Sequence, residues 1–200
     1  MFRKQTLLAL VGSVALLSLP AFSQEEPLMR HEFSAQGFGS FLKTTTNNGV
    51  EQSATNSGGV LGTYRFNFTQ HHSVEMSYGY SLNTQKYGPN GGIFGLDTRS
   101  HEATAAYVFR YPLKRFTPFV LGGAGALVFD PKDMPNIDYQ ARAAFVYGGG
   151  ADITLTSHIF VRAEYRGLVY NSPTYNLTGL DGLDRITHRA EPSVGFGYRF

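Results

Sequence analysis

The chain has 200 residues, with 17 Lys and Arg against 15 Asp and Glu, and it contains no cysteine. Two of the basic residues lie in the first four positions, so the remainder carries 17 − 2 = 15 basic residues against 15 acidic ones. A neutral chain of this kind has no basic stripe for nucleic acid, and disulfides and cysteine-ligated metals are excluded. The length suits one domain.

The first 23 residues have the features of a secretory signal peptide. Met1–Lys4 is short and basic, residues 6–19 are apolar, and Pro20–Ser23 ends in small residues at the cleavage spacing. The alternative is a membrane anchor, but the apolar run is shorter than the ~20 residues that a spanning helix needs. We therefore predict a cleaved signal peptide over 1–23 and a single domain over 24–200, with no lipoprotein cysteine.

Eight later segments alternate apolar and polar residues with a period of two, which predicts β-strands. In chain order, these segments are 31–42, 59–69, 73–82, 98–111, 117–129, 139–155, 159–169 and 188–200. The connections between them alternate in length, and the long ones are 43–56, 83–97, 130–138 and 171–185. This pattern predicts an all-β, antiparallel up-and-down meander.

The last segment shows the alternation most clearly. Val194, Phe196, Tyr198 and Phe200 share one face, while Glu191 and its alternate neighbours share the other. No apolar run after the signal could form a spanning helix, so a membrane crossing would require a closed barrel. An even strand number with long connections at one end and short ones at the other is typical of outer-membrane barrels. We predict an eight-stranded antiparallel transmembrane β-barrel.

Together, the signal peptide, the eight strands and the ending Val194-x-Phe196-x-Tyr198-x-Phe200 resemble small bacterial outer-membrane barrels of the OmpA-type transmembrane domain and its relatives. The resemblance covers the whole chain after the signal, without the peptidoglycan-binding domain of full-length OmpA. It implies an outer-membrane location, contact with outer-membrane lipid and lipopolysaccharide, and recognition by the barrel-assembly machinery. Phe196, Tyr198 and Phe200 would be the assembly signal.

Charged residues on the polar faces indicate which face is the interior. A soluble barrel of the lipocalin type would point apolar residues inward, but the cations here are all arginine, which is preferred in enclosed, bidentate ion pairs. We therefore expect a lumen filled by an ion-pair network. Its predicted members are Glu32, Arg65, Glu75, Glu102, Arg110, Arg142, Asp152, Arg162, Glu164, Arg166, Glu191 and Arg199.

Glu164 is predicted to lie near the centre of this network, together with Arg162 and Arg166. Arg162 and Arg166 flank it at every second residue of one strand, so all three side chains point the same way. We expect Glu164 to neutralise both arginines, so that its removal would leave two uncompensated charges.

Aromatic residues near the strand ends predict two interfacial girdles. Phe68, Tyr111, Phe119 and Phe200 would form the girdle on the short-turn side. Tyr80 and Phe129 would contribute to the girdle on the long-loop side.

None of the candidate catalytic or metal motifs is complete. His71-His72 has no further ligands beside it, and the glycine runs 122–125 and 148–150 precede no helix that could bind phosphate. Ser100, His101 and Glu102 are consecutive on one strand, so their side chains alternate faces and cannot form a triad. We expect no catalytic site, no metal and no cofactor.

The long loops are the remaining candidates for function. Ile93, Phe94 and Leu96 place apolar side chains in a predicted extracellular loop, where a contact patch for a surface ligand is expected. We therefore predict a structural or adhesive protein without a wide pore. The alternative is a lipid A-modifying enzyme, of the deacylase or acyltransferase type, built on a small barrel.

Overall fold

The computed structural model describes residues 28–42, 45–47, 50–54, 56–88, 94–131, 139–172 and 186–200. Within these ranges the chain forms ten β-strands: β1 (His31–Leu42), β2 (Thr45–Asn47), β3 (Val50–Ala54), β4 (Ser57–Asn67), β5 (His72–Gly88), β6 (Phe94–Arg110), β7 (Phe116–Pro131), β8 (Gln140–Thr154), β9 (Ile159–Asn171) and β10 (Ile186–Arg199). No helix in the described ranges is long and apolar enough to cross a membrane. The predicted signal peptide lies outside them.

The eight long strands close into a barrel. Each pairs antiparallel with the next long strand along the chain, and β1 pairs with β10 to complete the ring. At this closure Phe33 lies opposite Tyr198, and the backbone groups of His31 and Phe200 exchange hydrogen bonds of 3.1 and 2.9 Å. The predicted eight-stranded antiparallel meander is confirmed.

At the long-loop end, the strands extend further than predicted. The segment 83–97 was expected to be a loop, but β5 and β6 remain paired within it, from Thr84 opposite Asp97 to Tyr87 opposite Phe94. The predicted loop 43–56 contains the hairpin β2–β3, and its Glu51 pairs with Gly88 of β5. The sequences of both segments lack a regular alternation of apolar and polar residues, which a strand surrounded by lipid requires and a strand in water does not. The two-residue period that identified the other strands is therefore absent here.

At the opposite end the connections are tight, as predicted. The β4–β5 turn is closed by Phe68 N–H donating to His72 O at 2.9 Å, and the β8–β9 turn by Leu155 N–H donating to Ile159 O at 2.9 Å. The β6–β7 connection narrows to a two-residue turn between Leu113 and Phe116. These three turns join six of the eight long strands in pairs at this end, and β1 and β10 meet there through the His31–Phe200 hydrogen bonds.

The two faces of the barrel wall are opposite in character to those of a soluble barrel. Apolar side chains such as Val60, Met76 and Phe196 are 55–65% exposed on the outside, whereas the side chains of Arg65 and Arg162 are completely buried inside. An apolar exterior around a charged interior suits a wall surrounded by lipid. The structure therefore confirms the inside–outside assignment made from the arginines.

Candidate functional site in the barrel lumen

The predicted charged residues line the lumen. Ten of the twelve are at least 94% buried: Glu32, Arg65, Glu75, Glu102, Arg110, Asp152, Arg162, Glu164, Arg166 and Glu191. Arg142 and Arg199 are half-buried. These side chains come from seven of the eight barrel strands, so the pattern of strand pairing decides which of them meet.

The first cluster of charges lies near the short-turn end, and Arg162 is at its centre. Its Nε donates to Asp152 Oδ1 at 2.7 Å and its Nη2 to Asp152 Oδ2 at 2.9 Å, so the pair is bidentate. Its Nη1 donates to Glu75 at 3.0 Å, and its Nη2 lies 3.3 Å from Glu32. One guanidinium therefore bridges carboxylates from β8, β5 and β1, which gives it more fixed contacts than a single ion pair.

The other cations of this short-turn cluster surround the same carboxylates. Arg65 Nη2 is 2.7 Å from Glu75 Oε2, and its Nη1 is 3.5 Å from Asp152. Arg110 Nη1 is 2.8 Å from Glu32 Oε1, and Arg199 Nε is 3.9 Å from the same oxygen. Four arginines therefore share three carboxylates, which leaves this cluster with a formal charge of +1.

A second cluster lies closer to the long-loop end. Arg166 Nη1 donates to Glu102 Oε1 at 2.9 Å, and Arg189 Nη2 forms a short ion pair with the other oxygen of Glu102. Arg189 Nη2 also lies 2.5 Å from Glu191 Oε1, and its Nη1 donates to Ser100 Oγ at 2.9 Å. Arg189 was not among the lumen residues predicted from the sequence, although it lies on the same strand face as Glu191, two residues away.

Glu164 contacts the second, loop-side cluster through Arg166, and it does not neutralise both flanking arginines as predicted. Its closest cation is Arg166, at 3.9 Å, and Gln36 Nε2 donates to its Oε2 at 3.4 Å. Arg162 instead pairs with Asp152, and Arg166 with Glu102. The prediction was wrong because spacing along one strand indicates shared direction, while side chains from other strands can approach more closely. With Glu164, the loop-side cluster has three carboxylates and two arginines, a formal charge of −1.

Aromatic rings fill the remaining space at the short-turn end of the lumen. The Arg65 guanidinium lies 4.3 Å from the Phe119 ring centroid, and Arg162 lies 5.1 Å from the Phe160 ring. Phe119 was predicted to be in the outer girdle, and so was Phe129, but they are 4% and 0% exposed and face inward. The prediction for these two residues was wrong because the inward face of β7 is also apolar: Leu121 and Leu127 are buried on the same face. Sequence alternation marks two faces but does not say which is inside.

The other predicted girdle residues do lie on the exterior. Phe68, Tyr111 and Phe200 are 50–54% exposed near the short turns, and Tyr80 is half-buried on the outer face. The side chains of the predicted assembly signal also point outward: Phe196 and Tyr198 are exposed on the outer face of β10, and Phe200 is exposed directly after it. Its recognition by an assembly machinery remains a prediction.

The candidate chemical motifs do not assemble into a reactive site. Ser100 and Glu102 point into the lumen, while His101 lies outside and makes a 2.7 Å hydrogen bond with Tyr78. In the described part of the chain, no three His, Cys, Asp or Glu residues form a group that could hold a metal ion. In the predicted loop patch, Ile93 lies outside the described residues, and Phe94 and Leu96 belong to β6, without described side chains.

Comparison with known proteins agrees with this architecture. Residues 8–200 match the model of a family described as outer membrane protein beta-barrel domain. No curated protein sequence matches the chain.

Several solved structures share the fold. Neisserial surface protein A superimposes with a TM-score of 0.64 at 9% identity, covering 85% of this chain and 97% of its own. OprG from Pseudomonas aeruginosa superimposes with a TM-score of 0.59 at 16% identity, and the match covers 86% of this chain and 96% of OprG. Ail, the attachment invasion locus protein of Yersinia pestis, superimposes with a TM-score of 0.53 at 20% identity, and the match covers 86% of this chain and 100% of Ail. The family match extends over nearly the whole chain, and the barrel has a charged lumen and an apolar exterior. The chain belongs to the outer membrane protein β-barrel domain family and is an integral protein of the bacterial outer membrane.

Proposed function

We propose that the protein is a structural or adhesive component of the cell surface, acting through the long connections at one end of the barrel. The observation that supports this most is the length of β5 and β6, which have 17 residues each. A tilted strand needs only ~9–11 residues to cross the bilayer. The remaining residues of each strand form a paired sheet that continues beyond the membrane.

The hairpin β2–β3 widens this projecting sheet. Its pairing with β5, over Glu51–Ala54 opposite Gln85–Gly88, adds two short strands beside the extended ends of β5 and β6. A projecting sheet with an edge strand offers backbone donors and acceptors to a partner. Such a surface favours contact with another molecule over transport.

The filled lumen supports the second half of the proposal, that the barrel does not form a wide pore. Eight strands enclose an interior just wide enough for side chains. Here, Arg65 and Arg162, with Phe119 beneath them, lie across that interior at the level of the short-turn cluster. Solutes larger than water would have to displace a connected set of ion pairs.

A binding experiment on whole cells tests the surface role. One structure of Ail holds the heparin analogue sucrose octasulfate, so immobilised heparin is a practical first probe. Cells displaying this protein should adhere to the coated surface more than cells without it. A variant with 85–96 replaced by a two-residue Asn-Gly turn should lose that difference while retaining a folded barrel. Equal adhesion by this variant and the wild-type protein would contradict a role for the projecting sheet.

Lipid analysis separates this proposal from the enzymatic alternative. Lipid A from cells with and without the protein should have the same acylation pattern by mass spectrometry. A change in the acyl chains that depends on the protein would favour a lipid A-modifying enzyme and contradict the proposal.

A further inference from the structure

Among the side chains that the structure describes, the exposed charged ones at the short-turn end of the barrel are cations. Lys114 and Arg115 form the β6–β7 turn, are exposed, and make no ion pair with any described residue. Two exposed side-chain carboxylates of the described chain, Asp97 and Asp130, lie at the opposite end. Arg30 is a further exposed cation at this end, but two acidic residues, Glu25 and Glu26, lie close to it in the sequence, whereas the turn has no acidic neighbour in sequence.

The backbone of this turn is strained. Lys114 has a φ of 31°, a positive value that no other non-glycine residue shows among those described. The turn is tight, because Leu113 N–H donates to Phe116 O at 2.8 Å and Phe116 N–H to Leu113 O at 2.6 Å. Glycine usually fills the first central position of a hairpin turn with positive φ. A lysine at this position is costly for folding, which points to a role for its charge.

The residues around the turn fix its depth in the membrane. Leu113 and Phe116 are each 47% exposed, and Tyr111 is 54% exposed, so apolar side chains surround the turn on the outer wall. Tyr111 and Phe109 belong to the aromatic belt, which lies at the level of the lipid headgroups. The two cations at the tip of the hairpin are therefore next to the phosphate layer.

We propose that the Lys114–Arg115 turn binds anionic phospholipid headgroups. Short turns of outer-membrane barrels face the periplasm, so the contacted leaflet is the inner one. An anionic headgroup complements two unpaired cations, whereas a zwitterionic headgroup brings a positive charge of its own. The proposal concerns the end of the barrel opposite to the projecting sheet and is independent of any adhesive role.

Spin-labelled lipids provide the test. The purified protein is reconstituted in phosphatidylcholine vesicles, and electron paramagnetic resonance measures the association of labelled phosphatidylglycerol relative to labelled phosphatidylcholine. The wild-type protein should prefer phosphatidylglycerol. The double variant Lys114→Gly, Arg115→Gln should lower that preference by about fivefold or more, the effect of at least one cation near an anionic surface. High salt should remove the preference of the wild-type protein as well.

The variant is designed to fold, since glycine at position 114 relieves the positive φ, and its urea midpoint should be at or above that of the wild type. Arg99→Gln removes one exposed cation from the opposite end and should leave the preference unchanged. An unchanged preference in the double variant, or an equal fall in Arg99→Gln, would overturn the proposal. Competition by inorganic phosphate at matched ionic strength would show that the turn binds free phosphate and would overturn the lipid assignment.

Discussion

Asp152→Asn should destabilise the barrel far more than Glu164→Gln, although both remove one buried carboxylate from the lumen. Asp152 accepts two hydrogen bonds from Arg162, at 2.7 and 2.9 Å, and lies 3.5 Å from Arg65. Its loss would raise the formal charge of the short-turn cluster from +1 to +2 with all of these groups buried. Breaking a buried ion pair by removing one partner typically costs ~3–5 kcal/mol. The asparagine oxygen can still accept one of the hydrogen bonds, so we expect about 3 kcal/mol.

Replacing Glu164 removes fewer and longer polar contacts than replacing Asp152. Arg166, its nearest cation at 3.9 Å, keeps its 2.9 Å contact with Glu102 when Glu164 is replaced. The hydrogen bond from Gln36 can also be accepted by a glutamine oxygen, and the loop-side cluster would change from −1 to neutral. We therefore expect Glu164→Gln to change the free energy of unfolding by less than about 1 kcal/mol.

Urea unfolding in lipid vesicles measures both variants, because a folded barrel and its unfolded chain migrate differently on gels when the sample is not boiled. Glu51→Gln, on the short strand β3 outside the barrel wall, is the matched control and should stay within about 0.5 kcal/mol of the wild type. The reasoning would be refuted if Glu164→Gln cost as much as Asp152→Asn, or if Asp152→Asn behaved like the control.

Three further outcomes are expected. Gly195→Ala should destabilise the barrel by about 1–3 kcal/mol in the same assay, because the added Cβ would lie 2.0 Å from the backbone oxygen of Ala35. Gly122→Ala is the control and should be nearly neutral, because its added Cβ would have no atom within 4 Å. Similar urea midpoints for the two variants would contradict the close packing of β1 and β10. In planar bilayers the wild-type protein should show no large, stable single-channel currents, and regular large conductance steps would contradict a filled lumen. Mass spectrometry of the protein purified from outer membranes should give a chain that begins near Gln24, and retention of the first residues would disprove cleavage of the predicted signal peptide.

The sequence by itself determined the fold class and the direction of most side chains. A two-residue period is a direct consequence of strand geometry, so it marked the crossing segments and separated Glu75 from its neighbour Met76. The choice of arginine on the polar faces then indicated that these faces are enclosed. Both conclusions depend only on local geometry and residue chemistry, which are fully present in the chain.

Three features were decided only by the tertiary structure, because each depends on which strands are adjacent. Phe119 faces inward since β7 has apolar residues on both faces, and only its pairing with β6 and β8 fixes which face lines the lumen. Arg162 pairs with Asp152 because the register of β8 and β9 places them opposite each other. Strands β5 and β6 extend into 83–97 because each completes the other's backbone hydrogen bonds outside the bilayer, where no apolar pattern is required. Strand periodicity encodes the direction of a side chain, whereas its partner is set by register between segments far apart in the sequence.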